Sequence, residues 1–154
     1  MNANPSKFLP VIAALAWLAA GCGPQGARCA KCGMLVDDHP RWVAGATTEA
    51  GAEERFCCPR CLFAWRQSPR GTGSRDAWVT EYYTQQRTQI GEVIFVMGSD
   101  VAGPMGKALV PVAGREAAER FLQDHHGGRL LTATEITPEL LRELAGKPPA
   151  AATP

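Results

Sequence analysis

The 154-residue chain has almost no net charge: 16 Lys and Arg stand against 15 Asp and Glu, a formal +1. That balance provides no basic surface for nucleic acid. No apolar run is long enough to span a bilayer, which takes about 20 residues. The longest candidate, Phe8–Ala20 (FLPVIAALAWLAA), has only 13. Phosphate-loop chemistry is excluded as well. Around Gly106-Lys107 a GxxxxGK[ST] pattern would need a glycine where Val101 stands and a hydroxyl where Ala108 stands. No GxSxG nucleophile elbow occurs. Histidine is scarce, with three residues: His39 sits in a DDHP turn, and His125 and His126 lie where a helix would end and a cation would complement its dipole.

What the chain does have is sulfur in unusual places. Lys7 precedes the apolar run, and Leu18-Ala19-Ala20-Gly21 leads straight into Cys22. A charged start, a short apolar middle and small residues make a secretory leader over residues 1–21. The ending on cysteine resembles the lipobox of bacterial lipoproteins, which implies that Cys22 becomes the lipidated first residue, with residues 22–28 as a tether. Removing the leader takes away Lys7 and leaves 133 residues of zero formal charge, enough for one domain with a real core. The Pro/Ala-rich residues 147–154 read as a disordered tail.

Within residues 29–146 the pattern suggests two similar halves. Strands are expected at Trp42–Thr47 and Arg55-Phe56, a helix at Pro59–Gln67 and a strand at Trp78–Tyr83. The second half repeats the order. Strands Val93–Met97 and Ala108–Ala113 come first, the latter an edge or bulge because of Pro111. A helix follows at Arg115–His126, stopped by Gly127-Gly128, then a strand at Arg129–Thr132 and a last helix at Pro138–Ala145. Two strands, a helix and a strand, twice over, give an α+β fold of two ββαβ-type modules with small sheets.

Five of the six cysteines fall in two clusters. Cys29-Ala30-Lys31-Cys32 and Cys58-Pro59-Arg60-Cys61 are CxxC pairs with 25 residues between them. Two such turns can build a tetrahedral thiolate cage. Cys57 is a spare sulfur, ranked below Cys58 because only Cys58 completes a CxxC. A structural disulfide in each pair is the plainer alternative in an oxidising envelope, and thiol–disulfide exchange at CPRC is another. Methionine tips the balance toward a soft metal. Met34 follows Cys32 by two residues, and Met105 stands in a Gly/Pro loop at Ser99–Gly106. Zinc seldom takes a thioether, whereas cuprous copper takes thiolate and thioether readily.

CxxCGM near the start, Phe56 to Cys61 leading into a helix, SDxxxPMG at Ser99–Gly106 and a helix ending in Gly-Gly together resemble the NosL family from Cys29 to about Leu144. The resemblance implies an outer-membrane lipoprotein, not an enzyme, that faces the periplasm and is anchored in the bilayer through Cys22. It would bind Cu(I) and deliver it to a copper-receiving enzyme or transporter complex, during maturation of nitrous oxide reductase. It also implies a fold related to organomercury lyase and treble-clef zinc domains, the first module being built on the double CxxC. Cys29, Cys32, Met34, Cys58, Cys61 and Met105 become the candidate metal ligands. The sequence leaves homodimerisation open, and His39 as a further ligand. One departure is evident: many family members carry an acidic pair and a single cysteine where this chain has Cys57-Cys58-Pro59-Arg60-Cys61. Four thiolates can equally hold zinc. The remaining alternative is an organomercury-lyase-like enzyme using Cys57, Cys61 and Asp100.

Overall fold

A computed structural model describes residues 26–146; the expected leader, Cys22 and the tail from Lys147 lie outside the described residues. Among those described, no helix is long and apolar enough to cross a membrane. The first module opens with strand β1 (Ala44–Thr47), which turns back through Gly51, at φ +90°, into β2 (Glu53–Phe56). Pro59, with its fixed φ and missing N–H, then starts helix α1 (Pro59–Arg66) behind the extended Cys58. Strand β3 (Arg75–Thr80) pairs antiparallel with the free edge of β1, and a short β4 (Arg87–Gln89) completes a sheet of order β2-β1-β3-β4. Gly45 pairs with Trp78, and a Cβ there would come within 2.5 Å of the indole, so only glycine lets the ring lie across the strand.

The second module repeats the plan. Strands β5 (Val93–Gly103) and β6 (Gly106–Ala113) form a long hairpin, α2 (Arg115–Asp124) packs Ala118 and Phe121 against it, and β7 (Arg129–Leu131) pairs with the other side of β5. The order is β6-β5-β7, so Pro111 lies on an edge strand, where its missing donor costs no ladder bond. Helix α3 (Pro138–Leu144), capped by Thr137, closes the described chain and contacts α1. The result is the α+β fold of two ββαβ modules with small sheets.

Four details differ from the sequence reading. Pro40–Trp42 forms a 3-10 turn, so β1 begins at Ala44. The strand β4 carries no apolar alternation that would reveal it. Glu81 to Tyr83 leave the strand expected there. Most consequentially, β5 runs on to Gly103, which pairs with Gly106, so Pro104-Met105 is a two-residue hairpin turn and not a long loop. Pro104 fixes a negative φ at the start of that turn, and Gly106, at φ +84°, takes the left-handed position that lets the chain re-enter the ladder behind it.

The two modules are tied by a buried carboxylate. Glu81 is 2% exposed. Its Oε2 accepts from the backbone N–H and the hydroxyl of Thr84, at 2.6 and 2.8 Å, while Oε1 accepts from the Ala113 N–H at the end of β6, at 3.2 Å. Next to it, the Tyr82 N–H donates to the Pro111 carbonyl at 2.9 Å. Replacing Glu81 by Ala strands these donors, so Glu81→Ala is expected to lower stability by about 1–3 kcal/mol. Urea unfolding would show a lower midpoint at unchanged slope; an unchanged midpoint would rule out this tie.

Candidate soft-metal centre

Two chain segments build the site. In the first, the Cys29 N–H donates to the Met34 carbonyl (2.8 Å) and the Gly33 N–H to the Cys29 carbonyl (2.9 Å), folding CAKCGM into a tight loop. Gly33 adopts φ +79° to close it. Bridging of Arg28 to Leu35 and a Val36 N–H bond to the Ala27 carbonyl seal its base. The second segment is the exit from β2 into α1. Cys57 follows the last residue of the strand, Cys58 is the N-cap with extended backbone (φ −165°, ψ 162°), and Cys61 lies in the first turn. One bond docks the two segments: the Ala30 N–H donates to the Arg55 carbonyl at 3.0 Å.

The sulfurs of Cys29, Cys32, Cys57 and Cys61 consequently lie within 4.8 Å of one another. Cys57 Sγ is 3.5 Å from Cys32, 3.7 Å from Cys61 and 4.0 Å from Cys58. Metal–sulfur bonds of about 2.3 Å in a tetrahedral thiolate cage give sulfur–sulfur edges of about 3.8 Å. The spacing suits a single ion with little rearrangement. All five thiols of the described residues are free. Cys29, Cys57, Cys58 and Cys61 are buried, whereas Cys32 is exposed.

The sulfurs also set one another's charge. Hydrogen bonding from Cys61 lowers the Cys29 thiol to about 4, against the opposing effect of burial, and the Cys57 and Cys61 side chains, with the nearby Arg60 cation, lower Cys58 to about 3. Conversely, the bond to Cys58 and burial raise Cys57, and bonds to Cys29 and Cys58 raise Cys61. Two thiolates thus sit beside two retained protons, an alternation that limits repulsion among close sulfurs.

The sequence ranked Cys58 above Cys57; in the structure Cys57 belongs to the mutually close four, and Cys58 stands just outside them. Cys57 precedes the extended N-cap Cys58, and the sharp corner there folds its sulfur back to 3.7 Å from Cys61 in the first helical turn. Met34 is half-buried against the same core as the cysteines. Met105, at the β5–β6 turn, lines a small cavity with Cys58. His39 precedes the first 3-10 turn. His125 Nδ1 pairs with Asp100 Oδ1 at 3.0 Å, so the acid considered for a lyase is engaged on the second module. Cys22 falls outside the described residues.

Fold and site together define a small α+β domain in which the side chains gathered into a metal-ligating group, among the described residues, are thiols alone. The chain belongs to the NosL family, whose model matches residues 24–141. It is similar to the copper-binding lipoprotein NosL of Stutzerimonas stutzeri, 27% identical over an alignment of 133 positions that covers 76% of this chain and 65% of the relative, so it spans somewhat less than two thirds of that protein. Its fold is that of the crystal structure of the copper chaperone NosL from Shewanella denitrificans, with a TM-score of 0.64 at 24% identity over 72% of this chain and 90% of the other.

Linkage fixes the pH behaviour of the metal-free protein. Unfolded thiols titrate near 9, whereas folded Cys29 and Cys58 ionise from about 4 and about 3. Between those values the unfolded chain holds more protons, so stability rises with pH. Above 9 the sign inverts, because folded Cys57 and Cys61 keep protons that the unfolded chain loses. The urea midpoint of the reduced, metal-free protein should therefore climb from pH 6 to about 9 and fall beyond it. Cys58→Ser should flatten the climb. An identical profile in that variant would contradict the charge pattern.

Proposed function

We propose that this chain captures cuprous copper in the group formed by Cys29, Cys32, Cys57 and Cys61 and passes it to a copper-receiving partner. The reading is carried by one observation: three buried sulfurs and one exposed sulfur, Cys32, are gathered within 4.8 Å with no oxygen or nitrogen ligand among them. Soft thiolates favour Cu(I), which is content with few ligands. Four sulfurs exceed its need, so one bond can open while the others hold, and an incoming thiolate or thioether can replace them in steps. Cys32 is the sulfur such a partner reaches first. Met34, two residues on, supplies a thioether from the same loop.

Family membership supports the same reading, as does the copper binding stated for the relatives. The recipient we propose is a copper enzyme under assembly, nitrous oxide reductase, or a transporter complex serving it. The position we propose is the periplasmic side of the outer membrane. There Cys22 would carry several acyl chains, since one alone holds a protein only marginally.

Zinc is the second reading, because the sulfur–sulfur spacing equally fits a closed structural tetrahedron. Metal competition separates the two. The full chain, loaded anaerobically, is expected to retain Cu(I) against a cuprous chelator. Cys61→Ser should weaken that retention by at least about 100-fold, since changes in the surrounding shell alone cost about 10–100-fold. Zinc that resists chelation in a protein unable to take up Cu(I) would overturn the copper reading.

A further inference from the structure

Helix α1 carries Cys61 at its start and, at its far end, a cation without a counter-charge. Arg66 is half-buried, and among the described residues no carboxylate pairs with it. Burial disfavours its charged form, and no neighbouring acid offsets that effect. Its one side-chain bond runs from Nε to Ser74 Oγ at 3.3 Å, which leaves the two Nη groups unused.

Arg66 borders a cleft of about 340 Å³, within the range of small-molecule sites, roughly 300–1,000 Å³. The cleft is built where the two modules meet. On one side, the 3-10 turn Pro69–Gly71 folds back on the end of α1, so closely that a Cβ on Gly71 would overlap the Trp65 carbonyl. On the other, Gln67 Nε2 donates to the Ile136 carbonyl at 2.7 Å and fixes the stretch behind the 3-10 turn Ala133–Glu135. Thr72 and Ser74 bring hydroxyls to the lining that holds Arg66, and Phe63, Ala133 and Ile136 supply an apolar wall. We propose that this cleft binds a monocarboxylate on a short apolar body, with the carboxylate on the Arg66 guanidinium and the Ser74 hydroxyl and the body against Phe63, Ala133 and Ile136.

The lining selects that chemistry. A planar guanidinium meets a carboxylate with parallel N–H bonds, and the incoming charge offsets the burial of Arg66. Ser74 Oγ accepts from Arg66, so its own proton is free to donate to the ligand. The Glu49 carboxylate lies against Gly73, on the rim, and repels a more highly charged anion such as phosphate, to which the apolar wall offers nothing. A carboxylate of this kind occurs on a free aliphatic acid and at the C-terminus of a peptide ending in an apolar side chain. The site uses neither thiols nor copper, so it stands apart from the copper reading.

The test titrates the reduced, metal-free full chain, isotope-labelled for NMR, with hexanoate, N-acetyl-leucine, N-acetyl-leucine amide and inorganic phosphate. Both carboxylates should shift the Gly71, Gly73 and Ser74 amide signals saturably, with Kd of about 1 mM or tighter. The amide and phosphate should bind at least about 10-fold more weakly, the loss of a charged hydrogen-bond pair. Tighter binding of N-acetyl-leucine assigns the cleft to a peptide terminus, and tighter binding of hexanoate to a free acid. Arg66→Gln should weaken the carboxylates by at least about 10-fold, and Arg66→Lys, which keeps the charge and loses the fork, should fall between it and wild type. Unchanged signals from the second sheet show that the variants are folded; if Arg66→Gln is not, Arg66→Lys and the acid–amide comparison decide. A wild type without saturable shifts, equal affinity for acid and amide, phosphate binding tighter than either carboxylate, or an Arg66 variant series that binds like wild type overturns the site.

Discussion

The Ala30 N–H bond to the Arg55 carbonyl joins a loop at the start of the domain to the end of a sheet strand 25 residues later. Neither segment brings more than part of the sulfur. The loop holds Cys29 and Cys32, and the strand-to-helix corner holds Cys57, Cys58 and Cys61. Without the docking, there would be two loosely related thiol turns in place of one centre. The contact is a main-chain bond, so it fixes the position of the loop whatever side chains surround it. It is possible because β2 ends its sheet, which leaves the carbonyl of Arg55 free on the outer edge of the strand.

Once gathered, the thiols behave as a set. Cys57 has three other sulfurs at 3.5 to 4.0 Å, too close for all to ionise without strong repulsion, and the environment alternates: it holds the Cys29 and Cys58 thiols low and pushes Cys57 and Cys61 up. An incoming soft cation replaces the thiol protons in the same space. Burial of all but Cys32 keeps water from competing and leaves one side for entry. The second module contributes from a distance, through a rigid hairpin whose tip presents Met105 to the outer edge of the centre. Glu81 and the neighbouring backbone bond hold that hairpin to the first module, so a buried carboxylate remote from the sulfur helps set the geometry around it.

Much of this was legible in the residues. Strand and helix runs around Val93–Met97, Arg115–His126 and Pro59–Gln67 follow from β-branched composition, helical periodicity and a proline at the first helical position, and the structure has elements at each. Pro111 pointed to an edge or a bulge by chemistry alone, and β6 is an edge strand. CxxC spacing ranked Cys58 above Cys57 because it counts residues, while the corner between an extended N-cap and a helix brings the Cys57 sulfur to 3.7 Å from Cys61 and into the mutually close four. The length of β5 was missed because Ser99–Gly103 has turn-forming composition, and only pairing with β6 makes it strand. β4 was missed because a three-residue strand with one half-buried side chain leaves no pattern.

By itself the sequence determined the chemistry: sulfur-rich, poor in histidine, with thiol pairs at metal-binding intervals and methionines placed in turns beside them. It also determined the repeated ββαβ order, because apolar periodicity and proline and glycine punctuation act locally. Tertiary structure decided which sulfurs meet. The distance between Cys32 and Cys57, or between Cys58 and Met105, depends on how a loop docks on a strand edge and how one sheet's hairpin lies against another's helix. Those relations arise from packing between segments far apart in the chain, and no local spacing encodes them.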